Sequence, residues 1–170
     1  MIAAREAGAA CIIVTGRGKD RARLEMARQL GAHYTIDVDE EPDVSDAVYD
    51  ITRGRMADAV INVTSHFPGA MQQAVEIAKI RGTVVMAGSA VAPTSGFQSD
   101  LLFRKEVAIK GVRGRMGRDI EKSIALIESN RYPLHLLSTH KYPLEKAEEA
   151  LKAVGGEGPD DVVHVSVVNS

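Results

Sequence analysis

Residue types able to do chemistry concentrate at one address, the glycine-rich run Thr15-Gly16-Arg17-Gly18-Lys19-Asp20-Arg21, with Asp37 about twenty residues further on. Glycines in such a turn let backbone amides approach a phosphate, and a carboxylate at the end of the next strand can accept hydrogen bonds from ribose hydroxyls. That pattern calls for a third glycine where helix and strand pack closely, and Arg21 stands at that position. Three readings stay open. The run is a first phosphate-binding turn, or an ordinary turn in which glycine supplies an unusual backbone angle and Asp20 caps the helix, or the end of a second strand where an adenosine ribose is recognised. The third is the one carried forward.

On that reading the charges select between cofactors. An acid in place of Gly16 would accept hydrogen bonds from the ribose of NAD and repel the extra phosphate of NADP, whereas glycine leaves room and Arg17, Lys19 and Arg21 bring positive charge. NADP is therefore expected to be mildly preferred over NAD, the alternative being that these charges only solvate a turn.

Other reactive residues do not assemble. His33, His66, His135, His140 and His164 stand apart from any His, Cys or carboxylate at metal-ligand spacing, so no metal ligand and no catalytic residue is assigned in this chain. Ser65 and Ser89 each follow a strand, but neither lies in a Gly-x-Ser-x-Gly turn, which argues against a hydrolase. Arg104-Lys105 and Arg113-Gly114-Arg115 could hold a phosphate or merely decorate a surface. Cys11, in the apolar run Cys11-Ile12-Ile13-Val14, is expected to be buried; as the sole cysteine it excludes a disulfide framework and suits a cytoplasmic setting.

Positioning the turn falls to apolar, Val- and Ile-rich runs that alternate with segments of helical period, the pattern of a parallel sheet with crossover helices. Strands are expected at Cys11 to Thr15, His33 to Ile36, Ala57 to Asn62, Gly82 to Ala87, Val107 to Val112 and Val162 to Val168. Helices are expected at Asp20 to Leu30, Val44 to Thr52, Gly69 to Ala78, Asp119 to Asn130 and Leu144 to Val154, with Met1 to Ala7 as the end of another stopped at Gly8. Leu24, Ala27 and Leu30 share one helix face, and Ile120, Ile124 and Ile127 another. Ser89 to Gly96, with Pro93, reads as a loop. The last strand has no evident partner.

The chain has 170 residues, 45% hydrophobic, which fits one ordinary domain. Its formal charge of −2, with both signs interspersed, argues against a nucleic-acid partner. No run approaches the ~18 apolar residues needed to span a bilayer, so no membrane partner is expected.

Thr15-Gly16 followed by Asp20, Arg23-Leu24, Ala27 and Leu30-Gly31-Ala32 resembles the second strand and helix of zinc-type medium-chain alcohol dehydrogenases. Later segments resemble that family in their usual order: Ala57 to Asn62, Gly82 to Gly88, Arg104 to Gly111 and His140 to Ala147. The sorbitol and threonine dehydrogenase branch is most similar.

The resemblance implies a Rossmann-like, doubly wound α/β domain lacking its first strand and glycine loop, the C-terminal half of a dehydrogenase that moves a hydride between an alcohol or polyol and a nicotinamide cofactor. Residues 1–130 would bind NAD or NADP, and 131–170 would return to a catalytic domain that carries the zinc and lies outside this chain. Thr15, Gly16, Arg17 and Arg21 or Arg23 would flank the adenosine ribose. Asn62 and Thr64 would lie near the two riboses, Ala87, Gly88 and Ser89 at the nicotinamide, and Val112 and Arg113 at its carboxamide. The chain alone would be inactive, and its missing first strand would favour a homo-oligomer. The alternatives are a non-catalytic nucleotide-binding or dimerising module, or a gene fragment without a function of its own.

Overall fold

The computed structural model describes residues 1–41, 43–65, 67–88, 96–114 and 116–169. The elements run α1 (Ile2–Glu6), β1 (Ile13–Gly16), α2 (Arg21–Gln29), β2 (Tyr34–Asp37), α3 (Val44–Thr52), β3 (Ala57–Asn62), α4 (Ala70–Ile77), β4 (Ala78–Met86), α5 (Asp100–Lys105), β5 (Ala108–Gly111), α6 (Gly117–Glu128), β6 (His140–Pro143), α7 (Ala147–Gly155) and β7 (Val165–Val168). Every strand pair is parallel. Helices between successive strands supply the crossovers that parallel pairing demands.

Two compact units form, one from residues 1–42 with 116–170, the other from 43–115. In the first, β1 pairs with β2, placing Gly16 beside Asp37. The apolar stripe of α2 is buried as its spacing requires, with Leu24, Ala27 and Leu30 each less than a tenth exposed. Gly31 follows at φ 97°, the left-handed conformation in which a side chain is strained, and so ends the helix. Buried Ala150 and Ala153 of α7 add to the apolar interior of this unit.

In the second unit the sheet order is β3-β4-β5. Val84 at its centre packs with Ala74 and Val75 of α4 and with Ala78, the first residue of β4, and Val60, Met86 and Leu101 close around them. Lys105 at the end of α5 donates to the carbonyls of Val75 (3.0 Å) and Glu76 (2.6 Å), satisfying the last carbonyls of α4. Burial pushes the Lys105 ammonium below its usual range, opposed by Glu76.

Several expectations are corrected. Strand β1 is Ile13–Gly16 rather than Cys11 to Thr15, and Cys11 is exposed, because it lies in the lead-in to the strand. β4 begins at Ala78, four residues before Gly82; its register with β3 slips between Ala57 and Ala59, and Arg81 takes a left-handed φ of 61° at that irregularity. The short helix α5 has no counterpart among the expected elements. β7 does have a partner, since His140–Pro143 forms β6 and pairs along its whole length. The stripe Ile120, Ile124 and Ile127 is on one helix as expected, but each residue is about half exposed. Of the expected loop from Ser89 to Gly96, residues 89–95 lie outside the described residues.

Candidate functional site

The turn after β1 is built from charges in pairs. Arg17 Nε donates to Asp39 Oδ1 at 3.1 Å, and the Gly18 amide donates to Asp39 Oδ2 at 2.9 Å. Arg23 pairs with Asp20 at 2.9 Å and Arg21 with Glu40 at 3.7 Å. The Gly18 amide, and next the Arg17 guanidinium, hold the Asp39 carboxyl below the usual carboxylate range. Asp20 occupies the position before α2 but does not cap it through its side chain. Its carboxylate instead accepts from the Arg17 amide at 3.2 Å and from Arg23. Positive charge expected to be free for a phosphate is therefore matched, arginine by arginine, with a local carboxylate.

Parallel pairing causes this. β1 and β2 end side by side, so the basic run after Gly16 meets the acidic run Asp37-Val38-Asp39-Glu40 after β2. Val38 donates its amide to the Gly16 carbonyl at 2.9 Å, and the Asp39 amide donates to Asp37 Oδ1 at 3.0 Å, which fixes the acidic turn. Asp37 was visible as the strand-end acid. Asp39 and Glu40 were missed, although their alternation of acids opposite a basic run is the signal that marks them.

Gly16 also carries a packing constraint. A Cβ there would stand 3.0 Å from Leu24 Cδ2 and 3.4 Å from Asp20 Cβ, tighter than ordinary contact, because the buried face of α2 lies against this strand end. Thr15 is exposed, as is Arg17.

In the second unit the strand ends make a separate set. Asn62, the last residue of β3, is buried; its Oδ1 accepts the Thr64 amide at 2.9 Å and its carbonyl accepts the amides of Ala87 (2.9 Å) and Gly88 (3.0 Å). Gly88 lies so close to the segment after β3 that a Cβ would fall 2.4 Å from the Thr64 carbonyl oxygen and 2.7 Å from the Val63 carbonyl carbon. Only glycine fits. Just past β5, Val112 donates to the Met86 carbonyl at 3.0 Å and is 44% exposed, and Arg113 is exposed beside it.

Thus Gly16, Arg17, Arg21 and Arg23 are gathered in one unit, and Asn62, Thr64, Ala87, Gly88, Val112 and Arg113 in the other, in both cases at or beyond the carboxyl ends of parallel strands. Ser89 and Arg115 lie outside the described residues. Arg104 is taken by Asp100 at 3.1 Å and Lys105 by the α4 carbonyls, so that doublet is structural. His33 is structural too, its Nδ1 accepting the Ile12 amide at 3.1 Å. Among the described residues no three His, Cys, Asp or Glu side chains converge as metal ligands, so the described residues do not fit a zinc ion. No described helix is long and apolar enough to cross a membrane.

In each unit these residues lie at or beyond the carboxyl ends of parallel strands, the side on which open α/β sheets bind their ligands. Comparison with known proteins shows the family. Residues 1–129 match the zinc-binding dehydrogenase family. "Probable alcohol dehydrogenase adh" of Mycobacterium tuberculosis is 36% identical over 160 residues, 91% of this chain and 42% of its own length. Sorbitol dehydrogenase of Gallus gallus is 31% identical over 160 residues, 93% of this chain and 44% of its own. The crystal structure of an alcohol dehydrogenase from Thermotoga maritima superposes with a TM-score of 0.83 at 26% identity, over 99% of this chain and 46% of that one, and so confirms the Rossmann-like α/β arrangement. The chain thus spans less than half the length of the relatives it matches. With its fold, its strand-end glycine and its sequence in agreement, the chain belongs to the zinc-binding dehydrogenase family.

Proposed function

We propose that this chain is the nucleotide-binding part of an NAD(P)-dependent alcohol or polyol dehydrogenase. The observation that carries the reading is the position of Gly16, Asn62, Ala87, Gly88 and Val112, each at or just past the carboxyl end of a parallel strand, where open α/β sheets bind nucleotides. Residues 1–130 take the nucleotide role on this reading, and 131–170 lead back to a catalytic domain outside this chain. A bound nicotinamide dinucleotide supplies the hydride acceptor for an alcohol substrate; the residues here bind and orient it. Gly88 leaves the strand ends of β3 and β4 close enough to present backbone groups to it, and Asn62, locked by three hydrogen bonds, holds that corner rigid. Zinc chemistry belongs to the catalytic domain, and this chain alone is inactive in a cytoplasmic setting. Homo-oligomer formation is part of the proposal: β5 pairs with β4 on one side and all four of its residues are exposed, an edge able to receive a second copy.

For the cofactor, NADP is mildly favoured over NAD, because Gly16 removes a carboxylate and Arg17, paired with Asp39 at the surface, can exchange that partner for an added phosphate. The test is calorimetric titration of the full chain with both cofactors. NADP is expected to bind roughly tenfold tighter than NAD, in line with one charge-assisted contact, and Arg17→Ala should weaken NADP alone. Equal affinities, unchanged in the variant, would refute the NADP assignment. Gly16→Asp, the obvious converse, is the poorer probe, since its Cβ crowds Leu24.

A further inference from the structure

The geometry points to Asp39 as a specificity-determining residue of the turn after β1, one that holds the anion-binding groups of that turn and restrains their use by a phosphorylated ribose. The inference rests on the dinucleotide-binding reading. Its basis is the donor set around one carboxylate: the Gly18 amide at 2.9 Å on Oδ2 and the Arg17 guanidinium at 3.1 Å on Oδ1 and 3.4 Å on Oδ2. A backbone amide and an arginine converging on two oxygens of one anion is the donor set that also binds a phosphate monoester. In this protein its own carboxylate fills that place.

Asp39 is held there from behind as well. Its amide donates to Asp37 Oδ1 at 3.0 Å, and Asp37 in turn lies beside Gly16 in the strand register. A Cβ on Gly18 would stand 3.5 Å from Asp37 Oδ2 and 3.6 Å from Asp39 Oδ2, so both carboxylates face the same glycine. A phosphate arriving at Arg17 must displace Asp39 or sit against its charge, with Asp37 close by. Hydroxyls of an unphosphorylated ribose meet no such repulsion and find an acceptor. Arg21 and Arg23 add no unpaired positive charge, since Glu40 and Asp20 face them. Asp39 therefore moderates the NADP preference that Gly16 and Arg17 would otherwise set.

The experiment titrates the full-length chain with NADP, NAD, adenosine 2′,5′-bisphosphate and AMP, comparing the native protein with Asp39→Asn, Arg17→Ala and the double variant. Asparagine keeps an oxygen for the Gly18 amide and removes only the charge; Asp39→Ser serves in the same way should the first variant not fold. Freeing Arg17 from its carboxylate makes one further charge-assisted contact available to the added phosphate, which should raise the ratio of NADP to NAD affinity by roughly tenfold. The same shift is expected between the bisphosphate and AMP, and it should vanish in the Arg17→Ala background. Binding of both cofactors with a ratio unchanged by Asp39→Asn overturns the role of Asp39 and leaves the nucleotide-binding reading standing. A ratio that rises equally without Arg17 also overturns it, since the effect would then be general electrostatics. Absence of binding by every ligand to every folded variant overturns the nucleotide-binding reading itself, and this inference with it.

Discussion

Replacing Gly88 by alanine adds a single methyl group at the most crowded glycine of the second unit. The new Cβ would lie 2.4 Å from the Thr64 carbonyl oxygen, 2.7 Å from the Val63 carbonyl carbon and 2.9 Å from the Val63 oxygen, all backbone atoms with no rotamer by which to move aside. Relief requires the end of β4 to separate from the segment after β3. That breaks the Gly88 amide bond to the Asn62 carbonyl (3.0 Å) and strains the one from Ala87 (2.9 Å). Overpacking costs about 1–3 kcal/mol and a lost hydrogen bond about 1 kcal/mol, so a destabilisation of about 2–4 kcal/mol is expected. At a urea slope of about 2 kcal/mol per molar the midpoint falls by about 1–2 M. Gly111→Ala is the control: a Cβ there meets nothing within 4 Å, so its midpoint should move by about 0.5 M or less. Equal midpoints for the two variants would refute the close-approach argument, and with it the claim that Gly88 is required by the backbone rather than tolerated.

Two further outcomes follow from the geometry. Thr35 Oγ1 is buried without a hydrogen-bond partner among the described residues, so Thr35→Val should stabilise by about 1 kcal/mol, read as a higher urea midpoint; a drop would mean that the hydroxyl has a partner. In the first unit Glu6 accepts from Tyr132 Oη at 2.7 Å and Arg131 at 2.6 Å. The tyrosine contact, and next the arginine, hold the Glu6 carboxyl below its usual range, and the same contact raises the Tyr132 phenol. A lowered carboxylate contributes stability above its unfolded pKa and loses it as pH falls through the folded value; a raised phenol contributes below its unfolded pKa and loses it as pH rises through the folded one. The difference in urea midpoint between native protein and Tyr132→Phe should therefore be largest near neutrality and shrink at both ends; a difference independent of pH would show that this bridge does not form.

Much of the fold was legible because both periodicities are local properties of the chain. Val44–Thr52 and Ala57–Asn62 are the expected helix and strand residue for residue, and the buried face of α2 follows directly from the spacing of Leu24, Ala27 and Leu30. Where backbone geometry depends on a neighbour, the reading slipped. β4 starts early because a register irregularity against β3 lets Ala78 pair with Ala57, and β6 is too short and too polar to announce itself without β7 beside it. α5 spans only six residues, too few for its period to register.

The candidate site divides along the same line. Gly16 and the arginines near it could be read from residue types and spacing, since they lie within a single strand and its turn, and the family, with Gly88, from the resemblance of its successive motifs. What those arginines face could not. Asp39 lies 22 residues from Arg17 in the chain, and only the parallel pairing of β1 with β2 brings the two turns together. Gly88 needs its lack of a side chain because of Val63 and Thr64, just past the end of the adjoining strand. Local sequence determines which elements form and which groups they carry; the partner each group meets is set by strand pairing, a contact between distant segments that no local pattern encodes.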